Sequence, residues 1–411
     1  MIKITFYLLL LLFLQTASTT SGENSRSYIP YYKAINEAEL CVVELNFNQA
    51  YKIYSKAFEQ FDKHQRTDLY NASLCAILTG NNHQAKLWIK ELIGLGFALP
   101  SFKGNIFQQL PLNEWDDIKS VYDSLHNVYR ASLDLTYLAA LDTMRIREQR
   151  LVQGAQNRYD SLLYMHAKVL HHLITEKGIP KGTEFEEQPL PLDVFRHHFG
   201  LRNRLKYNML NGIDTVAEPY KSMCFKTYDL ETLLKEAVFR GELSPNFVAA
   251  CIDHSELDRT KQQGVFEISI DLNTKTIKYL EPEPKELELI DAQRISLGLE
   301  SCRDAAKKDI EVALYYNQEK YPFDELIRRS KEIGYSKAAI IALSNNIVER
   351  DKLTMAFLDM VNEIRREILY NENFSAKNHL ENNPVFNKWE LLKQFRLTKS
   401  IVVKHIEPLE R

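Results

Sequence analysis

The sequence predicts a mainly α-helical protein in which helical hairpins precede a helical domain that bears one β-hairpin. Three observations support this fold class. Apolar residues recur at helical spacing along most of the chain, two short motifs repeat in its first third, and strict β alternation is confined to one stretch. Hydrophobic residues make up 45% of the 411 residues and charged residues 26%, which is typical of folded globular proteins.

The first residues of the chain predict export. Lys3 precedes an apolar run from Ile4 to Leu14, and small polar residues from Thr16 to Gly22 follow where a signal peptidase would cut. The run is shorter than the roughly 18 apolar residues that a transmembrane helix needs. We therefore expect residues 1–21 to be a signal peptide, a periplasmic or extracellular location, and no membrane span after its removal. An uncleaved N-terminal membrane anchor is the alternative.

Charge and cysteine content exclude several classes of protein. The net charge of −3 is spread along the chain and gives no field that would attract a phosphate backbone, so we expect no nucleic-acid partner. The five cysteines are too few and too widely spaced for a disulfide framework or a CxxC metal site, and we expect buried free thiols.

Two motifs recur in the N-terminal third, at residues 29–130. A Leu-Cys pair and a following Gln-Ala pair each return after about 35 residues, a period typical of helical hairpin repeats. The copies are Leu40-Cys41 with Leu74-Cys75, and Gln49-Ala50 with Gln84-Ala85. This pattern resembles tetratricopeptide repeats, and a third unit from about Leu110 to Val128 would cap the stack. Unrelated antiparallel helices that happen to repeat are the alternative.

The middle region, residues 133–305, opens with a long helical pattern in which Tyr137, Leu141 and Met144 share one face. Glycines and a proline break this pattern at residues 177–182 and predict a loop. A second helix is expected from Leu230 to Arg240, where Gly241 ends it. Ser244 and Pro245 then suit the start of another helix that runs to about Asp253.

A β-hairpin is expected near residues 264–280. Phe266, Ile268 and Ile270 occupy every second position, as in a β-strand, and a second short stretch with the same alternation follows. The acidic, proline-containing residues 281–288 favour a solvated connector rather than a cation site. Helical spacing from Leu353 to Ile368 predicts a helical C-terminal region over residues 306–411.

Several short motifs between about residues 137 and 300 fall in a characteristic order. They are Leu141–Met144 followed by Glu148-Gln149, a Gly-Ile-Pro loop at 178–180, His197 or His198, Gly241–Pro245 followed by Asp253, Gln263, and Ile290–Arg294 followed by Leu297–Leu299. Together they resemble a bacterial family that is common among exported proteins and is catalogued as a domain of unknown function. The chain departs from it at His254, where the family has arginine, and lacks a Tyr-Gly-Thr-Gln stretch after Gln263. The family implies no activity.

Polar residues at these motif positions are the candidate site, because a fold that gathers them would form one cluster. The candidates are Glu148, Gln149, His198, Asp253, His254, Gln263, Asp291 and Arg294. A carboxylate beside a histidine can serve as an acid–base pair or as part of a metal site, and Arg294 would neutralise a carboxylate. The alternative is that these groups cap helices and tie the hairpin to the helical body.

Three further histidines, His166, His171 and His172, miss the i, i+4 spacing of helical zinc motifs, so we expect surface or capping roles for them. The sequence contains no GxSxG, HExxH, phosphate-loop or dinucleotide motif, and we expect neither a metal nor a cofactor.

Two functions follow from these observations. The favoured one is a non-enzymatic exported protein whose helical repeats bind a protein or peptide partner. The alternative is an exported hydrolase-like enzyme that uses the polar cluster of the middle region. An enzyme needs a carboxylate and a histidine within hydrogen-bond reach at a concave, partly exposed site, whereas a scaffold would enclose and satisfy these groups.

Overall fold

The computed structural model describes residues 27–152, 156–180, 194–200, 202, 211–212, 228–253, 266–271, 276–280, 283–308, 391–392, 394–397 and 401–407. Over these residues the protein is mainly helical. The expected signal peptide, Cys224, His254, Gln263 and the helical pattern from Leu353 to Ile368 lie outside the described residues.

Four helices of similar length open the described chain. They are α1 (Ile29–Val43), α2 (Phe47–Gln60), α3 (Arg66–Leu78) and α4 (Asn82–Gly94). Each packs against the next, and short turns join them. Two single 3-10 turns, Leu99–Ser101 and Phe107–Gln109, lead to α5 (Leu112–Ala131), which packs on α4.

Small and apolar residues on one face of α2 and one face of α4 fill the core between these helices. In α2 they are Ala50, Tyr54 and Ala57, and in α4 they are Ala85, Ile89 and Leu92; all six are buried. The i, i+4, i+7 spacing places each set on a single face. Helix α3 lies innermost, because ten consecutive residues from Asp68 to Ile77 are buried.

The middle region begins with two packed helices, α6 (Leu135–Val152) and α7 (Gln156–Lys177). Residues 194–200 are also helical. The chain continues with α8 (Leu230–Phe239) and α9 (Pro245–Ile252). Gly241 ends the first of these at a φ of +71°, and a Cβ there would lie 2.5 Å from the Tyr28 ring. Both helices begin and end where the sequence predicts.

Three strands form one small sheet in the order β2-β1-β3. Strand β1 (Phe266–Asp271) pairs antiparallel with β2 (Thr276–Leu280) and parallel with β3 (Ile401–Glu407). The expectation of helix throughout residues 306–411 is wrong for residues 401–407, which form a strand. Their β-branched residues suit a strand, and a partner more than one hundred residues earlier completes the pairing.

Two helices follow the paired strands β1 and β2: α10 (Pro284–Leu297) and α11 (Cys302–Lys308). The expected connector at 281–288 is therefore helical from Pro284 onward. Proline is tolerated in a first turn, where its missing N–H would have no helical partner. Helix α10 ends at Gly298, whose φ is +95°, and α11 packs against α1. None of the helices in the described ranges is long and apolar enough to cross a bilayer.

Four cysteines lie within the described ranges, and all of them are free thiols. Cys75, Cys251 and Cys302 are buried and Cys41 is half-buried. Burial raises the pKa of the Cys75 and Cys251 thiols well above the ordinary value, so both stay protonated and unreactive at neutral pH. The expectation of buried free thiols is confirmed for Cys75, Cys251 and Cys302.

Candidate active site

Glu148 lies at the centre of the most chemically distinctive group of side chains. Its carboxylate is fully buried, and each of its oxygens meets a different histidine. Oε1 is 2.5 Å from Nδ1 of His166, and Oε2 is 2.6 Å from Nδ1 of His197. Helix α6, helix α7 and the helical residues 194–200 therefore meet at one carboxylate, which we call the Glu148 centre.

The apolar stripes of two helices place these residues. On α6, Glu148 continues the buried face of Tyr137, Leu141 and Met144 at the expected helical spacing. On α7, His166 lies between Leu163 and Leu170, which are both buried. The expectation of a surface or capping role for His166 is wrong, because its position relative to these leucines, not its spacing from other histidines, decides which face it occupies.

The hydrogen bonds fix which nitrogen of each ring is free. A carboxylate only accepts, so Nδ1 of each imidazole donates and the Nε2 lone pair of a neutral ring points away from Glu148. Neither Nε2 atom has a hydrogen-bond partner in the part of the chain that the structure describes. The His166 side chain is 6% exposed and that of His197 is 22% exposed, so solvent reaches the second ring more easily.

His198 is a different kind of histidine from its neighbour. It is fully buried, and within the described structure neither ring nitrogen has a hydrogen-bond partner. Burial and the nearby Arg202 guanidinium lower the pKa of His198 to about 3, while Asp229 opposes this shift, so the ring is neutral. Adjacent helical residues point about 100° apart, which explains why His197 and not His198 contacts Glu148.

The other predicted site residues have separate partners. Gln149 is exposed and accepts a hydrogen bond from Arg145, while half-buried Asp253 ends α9. Asp291 accepts from the backbone N–H of Cys302 at 2.7 Å. His254 and Gln263 lie outside the described residues. The described contacts therefore bring Glu148 together with two histidines and not with Gln149 or Asp291.

Arg294 is fully buried and belongs to a second polar group. Its Nε donates to the backbone carbonyl of Glu300 at 2.9 Å, and its guanidinium lies 3.4 Å from the Glu300 carboxylate. Arg294 thus neutralises Glu300, a residue outside the sequence motifs. The left-handed turn at Gly298 reverses the chain after α10 and returns Glu300 to Arg294.

Lys308 extends this second group to the N-terminal helices. Its buried Nζ lies 2.5 Å from Glu39, 3.0 Å from Asn36 and 3.4 Å from Glu300. The attraction of these two carboxylates outweighs burial and raises the pKa of Lys308. Because all the charged members are enclosed, this group, which we call the Lys308 clasp, holds α1 against α10 and α11.

Asp68 and Asn71 are buried polar residues on α3. The Asp68 carboxyl accepts from the Tyr31 hydroxyl at 2.7 Å, and burial together with nearby Glu39 raises the pKa of Asp68 to about 8. Asn71 pairs twice with the backbone of Arg396, donating at 3.2 Å and accepting at 2.8 Å. The Asn71-Ala-Ser73 sequon is therefore enclosed in the folded protein.

An open groove lies between α4 and α5. Its volume is ≈ 460 Å³, and its lining is mostly apolar, with Leu95, Val121 and Leu125 between the side chains of Lys90 and Glu91. It contains no catalytic combination of residues. Such a groove suits an apolar side chain of a bound segment.

The Nε2 atoms of His166 and His197 are the ones in the Glu148 centre that could ligate a metal ion. Among the described residues no group of three or more His, Cys, Asp or Glu side chains has the arrangement of a metal site. The groups of the Glu148 centre that can take part in catalysis are thus two oriented imidazoles and one carboxylate.

Comparisons with known proteins identify no relative. No protein-family model matches the chain. No curated protein and no solved structure matches it either.

Proposed function

We propose that the protein is an exported hydrolase-type enzyme whose acid–base centre is formed by Glu148, His166 and His197. One observation carries this proposal. A single buried carboxylate holds Nδ1 of two imidazoles, and both Nε2 atoms are left free, one of them on a partly exposed ring. A carboxylate and a histidine within hydrogen-bond reach, with one of the rings partly exposed, support an enzyme over a closed scaffold.

Each member of the centre has a defined task in hydrolysis. A neutral imidazole accepts a proton from water at Nε2, and the resulting hydroxide attacks an electrophilic carbonyl or phosphoryl atom. The other imidazole, protonated at Nε2, donates that proton to the leaving group. Glu148 holds both rings in the required tautomer and balances the positive charge that forms, as the carboxylate of a catalytic triad does.

The proposal is tested by hydrolysis assays on the full mature protein. Chromogenic carboxylic esters, phosphate esters, glycosides and peptides serve as substrates, and the variants are Glu148→Gln, His197→Gln and, as a control, Gln149→Ala. General acid–base catalysis contributes roughly 10²- to 10⁴-fold, so we expect a loss of kcat in that range for the first two variants. Gln149→Ala changes an exposed neighbour of Glu148 and should leave the rate unchanged.

Two results would contradict the enzyme proposal. One is a wild-type protein that hydrolyses none of the four substrate classes. The other is an activity that folded Glu148→Gln and His197→Gln variants retain in full, because the catalysis would then come from elsewhere.

The groove between α4 and α5 favours a second candidate function, the binding of a protein or peptide partner. Support comes from its apolar lining and from the repeat pattern, whose copies place Cys41 and Cys75 near the ends of α1 and α3. We propose that these helices are tetratricopeptide-like hairpins. Binding of the protein to a peptide array tests the groove. Val121→Glu changes the groove lining and should abolish binding, whereas Val128→Glu changes an exposed residue of the same helix and should not.

Export and family membership belong to the same proposal. The basic, apolar and small-residue segments at the N-terminus support a signal peptide cleaved between about residues 19 and 25. The motifs from Leu141 to Leu299 support membership of the bacterial domain-of-unknown-function family that the region of about residues 137–300 resembles. Mass spectrometry of protein from its native host tests export, and a mature protein that still begins at Met1 would contradict it.

A further inference from the structure

We propose that His64 is a pH-sensitive switch that, when protonated, fixes the loop between α2 and α3 against α4 and against the turn between α8 and α9. The loop comprises residues 61–65. The inference goes beyond the two proposed functions, since neither of them involves this loop. It rests on the hydrogen bonds around one imidazole ring and on the contacts that its neighbours in the loop make.

Both nitrogens of the His64 ring face groups that accept hydrogen bonds. Nδ1 lies 2.6 Å from the Glu91 carboxylate, and Nε2 lies 2.7 Å from the backbone carbonyl oxygen of Phe61 and 3.3 Å from that of Phe58. A neutral imidazole has one N–H and one lone pair, so it satisfies only one of these two sides. The proton belongs on the ring, because an imidazole is ordinarily more basic than a carboxylate. This arrangement of acceptors therefore requires the imidazolium form.

The titratable groups that face His64 come from α1, α3, α4 and the loop itself. Glu91 contacts the ring directly, and the Tyr31 ring stacks on it with centroids 6.5 Å apart. Asp62 and Asp68 lie close enough for their charges to interact with that of His64. Burial alone would lower the pKa of His64, but the hydrogen bond and charge of Glu91, with the carbonyl oxygens, outweigh burial and raise it above the ordinary value.

The loop residues on either side of His64 contact the middle region. Lys63 donates from Nζ to the backbone carbonyl of Arg240 at 3.0 Å, and Gln65 donates from Nε2 to that of Gly241 at 3.2 Å. Arg240 and Gly241 belong to the turn that follows α8. A ring without its second proton turns a lone pair toward one of its acceptor partners. This repulsion loosens the loop and, with it, both contacts to the turn.

The direction of the pH effect follows from the raised pKa of His64. In the unfolded chain a histidine titrates near its ordinary value of about 6.5. The stabilisation of the loop is therefore complete below about pH 6.5 and is lost as pH rises through the folded pKa. The His64 side chain is 10% exposed, which gives solvent access for proton exchange in the folded protein.

Two measurements on the wild-type full mature protein test the switch. An NMR titration of the His64 imidazole should give a midpoint above about 6.5. Hydrogen exchange, corrected for its intrinsic pH dependence, should show that the amides of Lys63, Gln65 and Gly241 lose protection as pH crosses that midpoint. The total loss should be about tenfold for each unit by which the pKa of His64 is raised, so the two measurements check one another.

Glu91→Gln is the variant that separates a switch from an ordinary ion pair. A glutamine amide can donate to Nδ1 of a neutral ring while Nε2–H donates to the Phe61 carbonyl, so neutral His64 then satisfies both sides. We expect a lower His64 midpoint than in the wild type and loop protection that no longer depends on pH. His83→Gln changes an exposed histidine on the same helix as Glu91 and should behave as the wild type.

Asp68 titrates near pH 8, so the comparison of Glu91→Gln with Glu91 is repeated in an Asp68→Asn background, where the difference should persist. Three results would overturn the proposal. One is a wild-type His64 midpoint at or below about 6.5. Another is wild-type protection of the Lys63 and Gln65 amides that does not fall across the midpoint. The third is a folded Glu91→Gln protein with the pH dependence of the wild type, because the titrating charge would then lie elsewhere. The first two need no variant to fold.

Discussion

Replacing Lys308 with methionine tests most directly how much the Lys308 clasp contributes to the packing of the N-terminal helices against the end of the middle region. The change keeps a side chain of similar length and removes the charge that lies 2.5 Å from Glu39 and 3.4 Å from Glu300. Glu300 keeps Arg294 as a partner, but Glu39 loses the cation that contacts it. Removing one partner of a buried ion pair costs about 3–5 kcal/mol, and we expect Lys308→Met to lose that much stability.

Urea denaturation followed by circular dichroism measures this loss. Lys307→Met is the matched control, because Lys307 is 63% exposed, pairs with Asp304 and should contribute at most about 1 kcal/mol. The double variant Glu39→Gln with Lys308→Met should recover part of the loss, since it no longer strands a carboxylate. The pKa of Glu39 is already raised by burial, so the deficit of Lys308→Met should be smaller at pH 5 than at pH 8.

Two results would refute this reasoning. One is a loss for Lys308→Met no larger than that for Lys307→Met. The other is a double variant less stable than Lys308→Met alone, because it would mean that the Glu39 carboxylate is not the stranded group.

Three further predictions concern other buried positions. The folded pKa of Asp68, about 8, lies above its unfolded value, so the free energy of unfolding of the wild type should fall as pH rises from about 4 to 8. Urea denaturation of Asp68→Asn should show a smaller fall over this pH range, and an equal fall in both proteins would contradict this. Gly241→Ala should lower stability by more than about 1 kcal/mol in the same assay, because the positive φ and the Tyr28 ring both oppose a Cβ, and wild-type stability would contradict this. Folded protein secreted from a glycosylating host should carry no glycan on Asn71, and mass spectrometry that finds one would show that the residue is accessible.

The helices were the most predictable part of the fold, because they depend on local spacing and on residues that end them. Gly241 and Pro245 mark the end of α8 and the start of α9, and both were visible in the sequence. Strand β3 was not predicted, because its partner β1 lies more than one hundred residues earlier and helical patterns dominate the sequence between them.

The candidate site was predictable only in part. Glu148 was named from its motif, and its burial follows from the apolar face of α6. Its partner His166 was missed, although the leucines on either side of it along α7 carry the signal that it faces inward. Arg294 was expected beside other motif residues, but the turn at Gly298 gives it Glu300, a residue only six positions away. The local reversal of the chain at Gly298 thus determines the partner of Arg294, for which a residue distant in sequence was expected.

The acid–base centre depends on Glu148 holding both His166 and His197 through Nδ1, which leaves Nε2 of each ring free. Nitrogen-15 NMR of the histidine side chains, at a pH where the rings are neutral, measures this directly. We expect both rings to be in the Nδ1–H tautomer, with downfield Nδ1 proton signals that disappear in Glu148→Gln. Nε2–H tautomers in the wild type, or Nδ1 proton signals that Glu148→Gln leaves unchanged, would contradict it.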